Sequence, residues 1–138
     1  DSDFFQKGTD GKLTFLPVSG KYRITANFER NYFIVEHMNG NDLSALDKDG
    51  NAIWVIGWGV GKPTHDNNVN WSPDKGLCMA KIGDKKFQLT FKPYPVTFNG
   101  DGTIANKYDF KFFYQKNWGG EFLGADYVST QTDMIYMT

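Results

Sequence analysis

Tyr108-Asp109-Phe110-Lys111-Phe112-Phe113-Tyr114-Gln115-Lys116-Asn117-Trp118-Gly119-Gly120 alternates like a β-strand and then breaks into a loop that carries a tryptophan. Successive side chains of a strand point to opposite faces. Tyr108, Phe110, Phe112 and Tyr114 therefore share one face, an apolar row suited to a core. Asp109, Lys111, Phe113 and Gln115 share the other, which mixes charge, amide and one ring.

The same period recurs upstream. Lys21 to Phe28 sets Tyr22, Ile24, Ala26 and Phe28 against Lys21, Arg23, Thr25 and Asn27, the pattern of a half-buried antiparallel strand. Arg30-Asn31 is read as a hairpin turn, with Tyr32 to Glu36 as the return strand. Ile53 to Trp58 is nearly all apolar, as in a strand covered on both faces. Further strands are expected at Lys12 to Leu16, Leu77 to Ile82, Lys86 to Phe91 and Met134 to Met137. Gly83-Asp84 and Asn99-Gly100-Asp101-Gly102 supply turns. Helix signals are scarce; the best is Asn41 to Asp47, with Asn41 as N-cap. Gly59 to Lys75 reads as one long loop holding Trp71, and a loop of that length in a compact domain is more often functional than idle. Many short strands separated by turns predict an all-β fold, an antiparallel sandwich. The 138 residues fit one domain, with residues 1–19 as an extension packed on it.

Composition narrows the function. A net charge of -1 gives no basic excess for nucleic acid. A lone cysteine, Cys78, forms no internal disulfide, and its apolar strand marks it as inert. Asp47-Lys48-Asp49-Gly50-Asn51 begins like a calcium loop, but its sixth position is Ala52 and its twelfth Trp58, so it fails the pattern. His37 and His65 have no ligand spacing and read as surface or loop residues. No cofactor or metal is expected. Catalysis has little support: a glycosidase needs two carboxyl groups flanking the bond, and Asp66, Asp109 and Glu121 offer only an unpatterned set.

Binding has more. Trp54 lies inside an apolar strand and belongs in the core, whereas Trp58 ends that strand and fits either core or rim. Trp71 and Trp118 lie in loops rich in Gly, Asn and Asp, where an indole either plugs the loop onto the core or meets a partner. Indoles offer large, stiff contact area at low entropy cost. A polar ligand also demands hydrogen-bonding partners, which Lys111, Gln115, Lys116 and Asn117 supply. Flat rings beside such groups suit a sugar.

Three pieces of this chain resemble the SusE/SusF-type surface glycan-binding lipoproteins of Gram-negative gut bacteria. Ile53-Trp54-Val55-Ile56-Gly57 is similar to that family's apolar strand ending in glycine, which a loop with a tryptophan follows, here Asn70-Trp71. Phe110-Lys111-Phe112 is similar to its "FKF" strand, and Asn117-Trp118-Gly119-Gly120 to the tryptophan and glycines after it. Gly20-Lys21-Tyr22-Arg23-Ile24 and its partner strand look like the preceding hairpin, so the resemblance runs from about Gly20 to the end. The loop before Trp71 departs from the pattern, reading Asn68-Val69-Asn70-Trp71 in place of Gly-Gly-Trp, and no amino-terminal lipidation cysteine is present. The resemblance implies an immunoglobulin-like β-sandwich without enzymatic activity. It would hold a polysaccharide or oligosaccharide, starch-like or otherwise, at the outer membrane beside glycan-uptake proteins, lipid-anchored through a segment upstream. Carried over, Trp71 and Trp118 would form the aromatic platform, Lys111 would donate to sugar hydroxyls and Asn117 would add an amide contact. Trp58, Gln115 and Lys116 stand second. The alternative is a structural or protein-interaction module of a larger surface lipoprotein.

Overall fold

The computed structural model describes residues 2–64, 67–93, 96–97, 104–105 and 108–122. Strands make up 48% of it and there is almost no helix, so the fold is all-β, sandwich-like and antiparallel. The expected strand at Met134 to Met137 and the turn at Asn99 to Gly102 lie outside the described residues.

β1 (Phe5–Lys7) and β2 (Leu13–Phe15) form an amino-terminal hairpin. β3 (Lys21–Asn27), β4 (Tyr32–Asn39) and β5 (Asp42–Leu43) form a three-stranded sheet in that order. β6 (Trp54–Gly61) is the axis of the larger sheet. Trp54 pairs with both Cys78 and Phe113, Gly57 with both Asn70 and Phe110, and Gly61 with both Asn68 and Lys92. One edge of β6 therefore carries β7 (Asn68–Asn70) and β8 (Leu77–Cys78), and the other carries β14 (Asp109–Phe113) and β11 (Lys92–Pro93). β9 (Ala80–Gly83) pairs with β10 (Lys86–Gln88), and β12 (Val96–Thr97) with β13 (Ile104–Ala105).

β6 is buried along nearly its whole length, as its unbroken apolar run predicts. Trp54, Ile56, Val60, Val69, Cys78 and Phe113 make the main core. Phe4, Val35 and Ala80 make a second, smaller one where the amino-terminal hairpin meets β4 and β9. The two sheets are also joined through polar groups. The Leu46 N–H donates to the Tyr114 carbonyl at 2.9 Å. The Trp54 indole N–H donates to the Ser44 carbonyl at 3.2 Å.

Several expectations change. Asn41 to Asp47 is not a helix: it holds β5 and a turn, and Asp49 Oδ1 accepts from the Ala45 and Asn51 amides. The Asp49 side chain thus bonds the local backbone, an arrangement that competes with helix. Gly59 to Lys75 is not one loop, because β6 runs on to Gly61 and β7 and a 3-10 turn (Pro73–Lys75) follow. Leu77 to Ile82 is two strands interrupted at Met79. β3 is not half-buried in alternation; Ile24 is 50% exposed and the neighbouring Phe28 is 87% exposed, because β3 is the edge of its sheet. His37 is buried in β4, its Nδ1 2.7 Å from Ser44 Oγ, rather than at the surface. In β14 the mixed face contributes the deepest ring: Phe113 is fully buried, while Phe110 and Phe112 are half-buried.

Candidate functional site

The register of β14 on β6 sets up the site. Phe113 sits opposite Trp54, Lys111 opposite Ile56 and Asp109 opposite Trp58. These six side chains share one face of the pair, since directly opposed residues do. Trp54, Ile56 and Phe113 are buried there, Trp58 is half-buried, and Lys111 and Asp109 are exposed. β7 and β14 both run antiparallel to β6, on its opposite edges. They therefore point the same way; β14 ends opposite Trp54, while β7 ends midway, opposite Gly57, before β8 resumes on that edge.

Both predicted loop tryptophans are in the loops that follow these two strands. Trp71 follows Asn70, whose φ of 56 ends β7, and Trp71 is 40% exposed. Ser72 Oγ donates to Asp74 Oδ1 at 2.5 Å, and the Gly76 N–H donates to the Pro73 carbonyl at 2.9 Å, closing a compact turn. This turn folds over the shared face. A Cβ on Gly76 would stand in ordinary contact with Ile56 Cγ2 at 3.5 Å and Lys116 Cγ at 3.6 Å, but only 2.9 Å from the Pro73 carbonyl oxygen, so the turn itself calls for glycine. Across it, residues 114–120 turn back through Gly119 and Gly120 at φ 76 and 79. Trp118 is 50% exposed and leans edge-on against Phe113, ring centroids 5.9 Å apart at 72°. Between the two loops lies a packed seam of Trp54, Ile56, Pro73, Phe113, Lys116 and Asn117 with no room for a water molecule, and neither Trp71 nor Trp118 lines it.

The remaining candidates divide by what their polar atoms do. Gln115 Nε2 donates to the carbonyls of Trp118 at 3.2 Å and Gly119 at 3.1 Å, so it shapes the loop that presents Trp118. Asn117 Oδ1 accepts the Trp118 N–H at 2.8 Å and orients the same residue. Lys116 Nζ donates to Glu36 Oε1 at 2.7 Å and lies 5.5 Å from the Trp54 ring centroid. Lys111 stands exposed in mid-strand, two positions before Phe113.

Glu36 is the support that the sequence did not reveal. It is buried in β4 and also accepts from Arg23, Nε at 2.9 Å and Nη2 at 2.6 Å. Burial opposes its ionisation, but hydrogen bonds from Lys116 and Arg23, with their charges, hold its carboxyl below the usual value. The turn at residues 72–76 was also missed, although Ser72-Pro73-Asp74 followed by Gly76 is a legible turn signal.

Of the carboxyl groups weighed for catalysis, Asp66 lies outside the described residues, Asp109 is exposed opposite Trp58, and Glu121 bridges to Phe113. His65 also lies outside them. Cys78 is buried, and burial pushes its thiol up to about 12.

Two family models meet in this chain. Residues 47–138 match the one described as "Domain of unknown function (DUF5121)", and residues 1–46 match DUF5125, likewise described as a domain of unknown function. No curated protein and no solved structure matches the chain.

Proposed function

The chain belongs to the DUF5121 family, and we propose that it is a non-catalytic carbohydrate-binding domain acting at a bacterial cell surface. One observation carries this reading: two half-exposed indoles, Trp71 and Trp118, sit in the loops that follow β7 and β14, the strands on opposite edges of β6. A shallow, partly aromatic surface suits a ligand with apolar C–H faces that keeps much of its hydration. The exposed ammonium of Lys111 on the same face supplies a donor for hydroxyls. Trp118 is braced by Phe113 from beneath and by Gln115 and Asn117 through its own backbone, which limits the ordering cost of binding. Each hydrogen bond to a sugar nets only about 0.5–1.5 kcal/mol, so affinity at one such site is weak. Capture of a polymer then relies on repeated contacts. The resemblance to SusE/SusF-type lipoproteins points to the outer membrane as location and to glycan uptake as purpose.

Affinity electrophoresis against a panel of neutral and acidic polysaccharides tests this. Retardation of the parent by at least one polymer, lost in Trp71→Ala and Trp118→Ala, is the expected result. Retardation that both variants keep would remove the site, and a panel without any retardation would favour the protein-interaction alternative.

A further inference from the structure

β3 leaves one edge of its sheet unpaired among the described residues, and all seven of its residues lie in the extended segment Lys21–Asn27. Open strand edges invite another strand, and proteins that stay monomeric blunt them. This edge is only partly blunted: Lys21 and Arg23 put charge on it, but β3 has no proline and apolar groups flank it. Ile24 is 50% exposed, Phe33 on the adjacent strand is 48% exposed, and Phe28 at the end of the strand is 87% exposed. Beside β3, Phe15, Pro17, Gly20, Tyr22 and Ile24 line an open groove of about 420 Å³.

We propose that β3 is a self-association edge, through which two copies of this chain pair antiparallel about a two-fold axis at Ile24. The strand's own sequence selects this occupant. A two-fold axis normal to the sheet keeps like faces together, so β3 pairs with itself about a residue and not between residues. Centring on Ile24 uses the full length of β3. It sets Lys21 opposite Asn27, Tyr22 opposite Ala26 and Arg23 opposite Thr25, with Ile24 facing its own copy. No two like charges stand directly opposite, and the Arg23 guanidinium is held by Glu36 of its own chain. Centring on Arg23 would oppose two guanidinium groups, and centring on Thr25 or further along shortens the ladder.

In the Ile24 register Arg23 comes diagonal to its own copy, each guanidinium held by the Glu36 of its chain, and the other diagonal neighbours fit. Lys21 of one copy lies diagonal to Glu29 of the other, which is exposed, and opposite charges at that spacing attract. Tyr22 lies diagonal to Phe28, within reach of an aromatic ring. Phe28 comes opposite Gly20, a residue without a side chain at the mouth of the groove. The exposed ring at one end of the strand thus meets the groove at the other, twice over by symmetry. This pairing does not depend on the sugar site, which lies on the sheet built around β6.

Cross-linking in a defined register tests the proposal. In this pairing Ile24→Cys places two thiols face to face, within the Cα separation a disulfide accepts. Ala26→Cys places them four residues apart along the strands, about 13 Å. The expected result is a covalent dimer from Ile24→Cys under mild oxidation and none from Ala26→Cys; the buried Cys78 stays out of reach. Equal cross-linking of both variants, or of neither, overturns the register. Sedimentation of the parent should show a concentration-dependent dimer. Ile24→Lys should make it monomeric with an unchanged circular dichroism melt, and Phe28→Ser should weaken it at least tenfold. A parent that stays monomeric at millimolar concentration, as it would if another protein fills the groove, overturns the proposal. So does a dimer that survives Ile24→Lys.

Discussion

Lys116 Nζ lies 2.7 Å from Glu36 Oε1, tying the loop that follows β14 to the middle of β4. The bond spans the junction between the two family segments, since Glu36 falls in residues 1–46 and Lys116 in residues 47–138. A second buried pair does the same: Lys62 Nζ donates to Asp3 Oδ2 at 2.8 Å, and the Asp3 carboxylate also accepts from Thr90 and Gln88. Both carboxylates come from the first segment and their partner lysines from the second. The two segments are thus held as one folding unit by paired charges as well as by apolar contact. Lys116 forms a wall of the candidate site, so the first segment braces that part of the second.

Removing the Glu36 charge leaves a largely buried ammonium without its partner. Glu36→Gln should destabilise the fold by about 3–5 kcal/mol, the cost of breaking a buried pair from one side. Urea unfolding measures it. A loss below about 1 kcal/mol would place this pair with weak surface bridges.

Acid should act through the same groups. The carboxyls of Asp3 and Glu36 are held below their ordinary values of 3.8 and 4.5, and burial lowers His37 from 6.5. In each case the unfolded chain binds protons more readily, so stability rises with pH across the window. The contribution of His37 is complete above 6.5 and is lost as pH falls towards its folded value. Those of Glu36 and Asp3 are complete above 4.5 and 3.8 and disappear at still lower pH. Thermal melts should show a shallow decline below 6.5 and a steeper one in the carboxyl range. A Glu36→Gln melt that runs parallel to the parent's through the carboxyl range would contradict this assignment.

Gly57 is where β14 comes closest to β6. A Cβ there would collide with the Asp109 carbonyl oxygen and lie 2.6 Å from Phe110 Cα, both backbone atoms that cannot step aside. Gly57→Ala should cost about 3 kcal/mol, the upper range for overpacking. Gly83→Ala is the control: its nearest neighbour would be Lys86 Cβ at 3.8 Å, and a change within about 0.5 kcal/mol is expected. Equal melting temperatures for the two variants would count against the close approach.

Trp54 should separate from Trp71 and Trp118 in a stability assay. Trp54 is fully buried, and Trp54→Ala should cost about 3–5 kcal/mol. Trp71 and Trp118 are half-exposed, and their alanine variants should lose about 1 kcal/mol or less while losing glycan retention. Should Trp118→Ala unfold the domain, its ring is a structural plug on Phe113 and not a platform.

Much of this was legible in the residues. The alternation of Asp109 to Gln115 and the nearly all-apolar run of Ile53 to Trp58 read directly as strands, because strand period and burial on both faces leave a local imprint, although β6 runs on to Gly61 and β14 stops at Phe113. The loop positions of Trp71 and Trp118 followed from the glycines and asparagines around them. What stayed hidden depended on partners distant in the chain. That β7 and β14 flank β6 on opposite edges and run the same way is a matter of sheet order, which no local pattern encodes. Glu36 read only as the end of the return strand, whereas in the fold Arg23 and Lys116 converge on it. The exposure of β3 is decided by its place at an edge, since an alternating sequence reads alike whether or not another strand lies beside it.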